Sequence, residues 1–342
     1  MSHPEIENRT KFHFEFLPLA DENGSPLIVP TVKATYQIQH GTPPILAEEQ
    51  IPLNIGGEYW GNPDSSSYKY EPEIAFTKPT TDVVLIGHAH APNVGATVVN
   101  VGIQIGPIQK TVRVTGDRFL IKRSGNATLY GPKPFEKIPL VYERAFGGWD
   151  RSHPNPGKHT FDPRNPVGVG FGYPNGKTDE PVRLPNIEDP KRPWKRWGDR
   201  PPVAGFGFIA PHWQPRSSFA GTYDKKWNDT RKPLLPVDFD RRFFNAASPG
   251  MIAPGYLRGD EHVTIINASP SGRLSFILPS IPPPWCAIAL RDGKRETLQT
   301  QLDTVIIDLN ENLIFLLWRT NLVVPNGPFD VQAIEIDLKT MA

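Results

Sequence analysis

A chain of 342 residues is long enough to bury a substantial core, and its charges nearly cancel, with 37 Lys and Arg against 36 Asp and Glu. That balance offers no broad basic field for nucleic acid or an anionic membrane, and the single cysteine, Cys286, excludes an intramolecular disulfide framework. Proline is the outlier at 39 residues, which cuts the chain into short strands and long loops because proline fits neither helix interiors nor central strands.

The N-terminal stretch MSHPEIENRTKFHFEF has no basic segment followed by an apolar one, so no secretory signal is read. KFHFEFLPL then alternates Phe12, Phe14 and Phe16 with polar residues, the period of a strand. Asn23-Gly24 turns it back into LIVPTVKATYQI as a hairpin. Further strand-like runs follow, with turn signals roughly every ten residues, through YKYEPEIAF, TDVVLIGHAHA, ATVVNVGIQIG, QKTVRVTGDRFL and ATLYG.

Within this series, Val83 to Ile86 lead through Gly87 to His88 and His90. Residues two apart on a strand share a face, so the two imidazoles have the spacing of a metal-ligand pair. A catalytic metal needs a third ligand, an open position and usually a carboxylate base. Asp82, His212 and Asp224 are available, but no spacing unites them with the pair. The plainer reading has the imidazoles hydrogen-bonding backbone where the strand meets a proline-bounded loop.

Periodicity fades over 141–245. Residues 194–245 nevertheless hold eleven Phe, Trp and Tyr, four of them Trp, which marks an ordered, loop-rich segment rather than a linker. One short helix is expected at TYDKKWND, with Thr222 as N-cap and Asp224 in its first turn. Asp238 and Asp240 lack the further ligands of a calcium loop and are read as capping a turn and pairing with Arg241 or Arg242. GVGFGYPNG lacks the Lys-Ser/Thr of a phosphate loop, so its glycines serve turns; GFGFIAP reads as backbone packed against aromatics. After 245 the strand pattern returns, with hairpin turns at Arg291-Asp292-Gly293 and Asn310-Glu311-Asn312. The longest apolar run, LIFLLW at 313–318, is far short of the ~20 residues of a spanning helix.

The expected fold is therefore mainly β: sandwich or barrel-like sheets, a long ordered loop-rich central segment and very little helix. Its divisions are an N-terminal β region (1–140), a central segment packed on both flanks (141–245) and a C-terminal β region (246–342), forming one continuous body.

The motifs KPTTDVVLIGHAHAP (78–92), YERAFGG (142–148), RNPVG (164–168), PVAGFGFIAPHWQPR (202–216), AGTYDKKW (220–227), PLLPVDFDRRFFNAA (233–247) and GYLRGDE (255–261) together resemble the DUF2169 proteins, adaptors or chaperones of bacterial type VI secretion. The resemblance runs in order through most of the chain. It implies a cytoplasmic protein that binds a PAAR-like protein or secreted effector, with the spike protein as a further partner, and helps load cargo on the secretion spike. It supplies no catalytic residue.

KRPWKRW (191–197) interleaves four basic residues with two Trp, yet no basic domain surrounds it, so a protein-binding surface or a loop stapled by cation–π contacts is favoured over nucleic acid. Trp194, Arg196, Trp197, Trp213 and Arg216 form the candidate partner surface, since Trp and Arg dominate interface energies. The charges flanking Trp194 and Trp197 make complete burial costly, whereas Trp213 can be absorbed by a core. No cofactor is expected. The competing functions are a metal-dependent hydrolase using His88 and His90, and a carbohydrate-binding module using exposed Trp.

Overall fold

The structure, a computed structural model, describes residues 4–39, 42–123 and 126–339. Strands dominate, in several open sheets, and among the described residues none of the sheets closes into a barrel. The sandwich expectation holds and the barrel alternative does not.

The central sheet orders His13–Ala20, Pro26–Gln37, Leu313–Arg319, Gln301–Asp308 and Asp82–Ile86. The first three contacts are antiparallel and the last is parallel. The hairpin at its start forms as expected. Asp21 Oδ1 accepts from the Asn23 and Ser25 N–H groups, and Gly24 takes φ +80°, a conformation open to a residue without Cβ. Asp82–Ile86 is buried throughout, which explains its unbroken apolar pattern. Its outer edge is covered by irregular chain: Val83 N–H donates to Met251 O at 2.9 Å and Leu85 N–H to Phe206 O at 3.3 Å.

A five-stranded antiparallel sheet runs Ile187–Glu188, Ile108–Thr115, Val98–Ile105, His262–Ile266, Arg273–Ile277. It alternates inward Val and Ile with outward polar residues. A third sheet orders Glu5–Asn8, Val331–Asp337, Trp285–Leu290 and Arg295–Gln299. N-terminal and C-terminal strands thus share every large sheet. One apolar core joins inward residues of all three sheets to Tyr142, Phe206, Phe208, Ile209 and Trp213 from the central segment.

One face of the central sheet is polar although it is covered. In strand register, Lys33 lies opposite Leu317, Leu317 opposite Thr304 and Thr304 opposite Asp82, so these four form one row. Loop residues meet this face through buried ion pairs. Lys33 Nζ donates to Glu73 Oε2 at 2.9 Å, and Arg319 binds Asp303 at 2.5 Å and the Glu73 carbonyl at 3.1 Å. Lys78 Nζ binds Asp82 at 2.8 Å and Thr304 at 3.0 Å. Asp82 also accepts from Asn245 Nδ2 and Ala246 N–H. Arg216 pairs with Glu71. A buried carboxylate is tolerated only with its lone pairs matched, and Asp82 has three partners. KPTTD, YEPE, HWQPR and FFNAA are therefore the pieces of one buried seam.

The other loop motifs interlock in the same way. Asn165 Nδ2 donates to the Tyr142 and Phe146 carbonyls, and a Cβ on Gly147 would overlap the Asn165 carbonyl, so YERAFGG and RNPVG require each other. A Cβ on Gly205 would lie 2.8 Å from the Tyr142 ring, as the reading of GFGFIAP anticipates.

Candidate partner-binding surface

His88 and His90 are half-buried on a short strand, His88–His90, paired with Lys137–Pro139. His88 Nδ1 lies 3.0 Å from Asn310 Oδ1, a side chain rather than the expected backbone group. Burial, then the neighbouring charges of His88 and Lys137, hold the His90 imidazole below its ordinary pKa. The three potential extra ligands are committed elsewhere: Asp82 to the buried seam, His212 to Trp213 and Asp224 to a helix cap. Among the described residues, no three His, Cys, Asp or Glu side chains are grouped to hold a metal ion.

The five residues first assigned to a partner surface do not form one. Trp194 is 5 % exposed and packs with Leu120, Phe146 and Leu184, which corrects the expectation of an exposed side chain. Its backbone N–H donates to Glu188 Oε1 at 2.8 Å, and the flanking Lys195 and Arg196 are exposed, so local charge did not prevent burial of the indole. Trp213 is also core, edge-on to Tyr142 at 5.7 Å and donating from Nε1 to His212 Nε2 at 2.9 Å. Arg216 is buried: it pairs with Glu71 and donates to the Ile209 and Phe243 carbonyls. Only Arg196, with its side chain 87 % exposed, and the half-buried Trp197, its ring tilted against Tyr173 at 5.0 Å, remain at the surface.

A better surface lies at the one α-helix of the described residues, Lys225–Thr230. Asp224 is its N-cap, accepting from Trp227 N–H at 2.8 Å. Thr222, the expected cap, instead donates N–H and hydroxyl to Asp238 at 2.9 and 2.7 Å, and these bonds hold the Asp238 carboxyl below its usual range. Trp227 Nε1 donates to the Leu234 carbonyl and Arg231 to the Leu235 and Glu22 carbonyls, tying helix, following loop and first hairpin together. Asp240 caps the next turn and pairs with Arg242 at 2.5 Å, as its sequence position suggests.

This frame encloses a recess of about 370 Å³ walled by Thr222, Lys226, Trp227, Pro236 and Val237. Val237 is 86 % exposed and Tyr223 is 52 % exposed, the latter edge-on to Trp227 at 4.7 Å. Exposed Lys226 borders it. Apolar side chains held in water by a fixed backbone, next to flexible cations, are suited to binding. Sequence reasoning took TYDKKWND only as a helix and missed Tyr223 and Val237. No sequence signal marked them, because Val237 alternates with the partly buried Leu235 and Phe239 as an ordinary inward residue would.

No helix among the described residues is long and apolar enough to cross a membrane. No curated protein and no solved structure matches the chain. A family profile described as "Uncharacterized protein conserved in bacteria (DUF2169)" matches residues 23–319, spanning the seam, the interlocked loops and the helix recess. The chain belongs to the DUF2169 family.

Proposed function

We propose that the chain is a non-enzymatic, cytoplasmic adaptor or chaperone that binds a PAAR-like protein or secreted effector and assists its loading on the type VI spike. The observation that carries this reading is exposed Tyr223 and Val237 about the half-buried Trp227, bordered by Lys226 and framed by the bonds to Asp224 and Asp238. A surface pre-formed in the free protein loses little entropy on binding. The type VI assignment itself rests on the motif resemblance.

Purified chain is expected to retain a PAAR-like protein encoded beside it in a pull-down. Tyr223→Ala with Val237→Asp should weaken that capture by about thirty-fold, the effect of losing ~2 kcal/mol of contact energy. Both side chains are more than half exposed, so the melting temperature should stay within a degree or two. Undiminished capture by the double variant would remove the recess from the interface.

A further inference from the structure

Two recesses meet along Pro202, Val203 and Pro249 to form one groove. The larger, of about 500 Å³, lies between the Ile108–Thr115 strand and the loops carrying Asp189, Lys191 and Ala204. The smaller, of about 400 Å³, continues past Ile209 to Pro215 and Arg164. Pro190, Pro202, Pro215 and Pro249 leave the loop walls short of backbone N–H groups, whereas the strand wall, residues 109–112, lies beyond the ladder to Ile187–Glu188, which pairs only Arg113 and Val114.

Lys110 is the exceptional residue of this groove. It occupies an inward position of its strand, in the period-two series Ile108, Lys110, Val112, Val114, where its neighbours are buried and apolar. Its Nζ donates to Ser248 Oγ at 2.5 Å and to the Pro249 carbonyl at 2.7 Å, both neutral acceptors. An ammonium has three donors, and among the described residues no carboxylate lies within ion-pair distance of this one. Asp189 lines the same cleft but accepts from the Lys191 N–H through Oδ1 at 2.8 Å. The Arg164 guanidinium at the far end is already matched to Asp162. Ser248 is buried and donates to the Gly205 carbonyl, which leaves it a support for Lys110 rather than a nucleophile.

We propose that this groove seats an extended acidic segment of a partner protein, with an Asp or Glu carboxylate on Lys110 Nζ and apolar or proline side chains along Pro202, Val203 and Pro249. The charge complement is specific: a cation on an apolar wall, with neutral partners only, is stabilised by a carboxylate brought from outside. An extended segment suits a slot between a strand edge and proline-lined loops, and the joined recesses are longer than a lone carboxylate requires. The proposal rests on the reading of the chain as a protein-binding scaffold but uses a surface distinct from the helix recess.

The test is selection of a phage-displayed random dodecapeptide library on the purified full chain. Enriched peptides are then synthesised and titrated by fluorescence polarisation against wild type, Lys110→Met, Val203→Asp and Val237→Asp. Enriched sequences should carry Asp or Glu beside apolar or proline residues. Their affinity should fall by at least about tenfold in Lys110→Met and in Val203→Asp, and change by less than about twofold in Val237→Asp. Val203→Asp keeps the test informative should Lys110→Met fold poorly. No enrichment, enrichment of peptides without a carboxylate, or undiminished binding by both groove variants would overturn the proposal. So would displacement of the peptide by an equimolar amount of succinate, which would assign the groove to small carboxylates. Cargo capture is not used as a readout, so failure of the adaptor reading and failure of the groove are seen separately.

Discussion

Arg216 shows how a residue with the profile of an interface anchor can be structural. Its guanidinium is enclosed by Glu71 and by the carbonyls of Ile209 and Phe243, and lies over the Phe243 ring at 5.0 Å. Burial pushes the Glu71 carboxyl above its ordinary pKa, with Arg216 acting in the opposite sense. Arg216→Met should therefore cost about 3–5 kcal/mol in urea unfolding, because it strands a buried carboxylate. Adding Glu71→Leu should recover most of that loss, and a single variant no less stable than wild type would show that the pair carries no such role. Trp194 makes the same point with an apolar side chain. Trp194→Ala should cost about 3–5 kcal/mol, and the half-buried Trp197 clearly less, read from chemical denaturation. Equal, negligible losses would return both residues to the surface.

At the scale of elements, the Ile108–Thr115 strand places Lys110 against its apolar partners, and burial pushes the ammonium down to about 7, with Asp189 opposing. The charged groups facing it across the groove are Asp189 and Lys191. Above pH 7 the folded state releases a proton that the unfolded chain keeps up to its ordinary value near 10.5, so stability rises with pH through that window. His90 and His212, held low by burial, act with the same sign but below 6.5, whereas Cys286, pushed up to about 12, lowers stability only above 9. Unfolding midpoints should therefore climb between pH 7 and 9 in wild type and stay flat in Lys110→Met. An identical climb in both would exclude Lys110 as the source.

The elements also show what was legible in sequence. The hairpin turns at 21–25, 291–293 and 310–312 were readable because their chemistry is local: an Asp that caps the loop, Gly or Asn at positive φ, and alternating residues on either side. Lys110 was readable in principle, as a charge at an inward period-two position. The helix cap was misplaced by two residues because Asp238, sixteen positions away, takes the Thr222 hydroxyl. Trp194 and Arg216 were not legible, because the groups that bury them come from strands and loops far along the chain. The wide surface of the helix recess was equally hidden, since exposure of Val237 follows from what the fold leaves uncovered.

Across the whole molecule, irregular chain serves as structure. Phe206 of the central segment and residues 251–253 just beyond it close the edge of Asp82–Ile86, and the central segment supplies Arg216 and Asn245 to the buried seam and presents Tyr223 and Val237 on its outer side. Proline fixes φ along these loops, and the proline content is the compositional trace of ordered irregular chain. The most direct measurement is hydrogen exchange of the purified chain, alone and with a PAAR-like partner. Alone, the amides of Val83, Leu85, Met251 and Ala253 should be protected to a common extent, as one cooperative unit. With the partner, added protection should fall on residues 222–238. Fast exchange at 205–253 in the free chain, or partner protection absent from 222–238, would contradict the reading of the chain as a pre-formed adaptor.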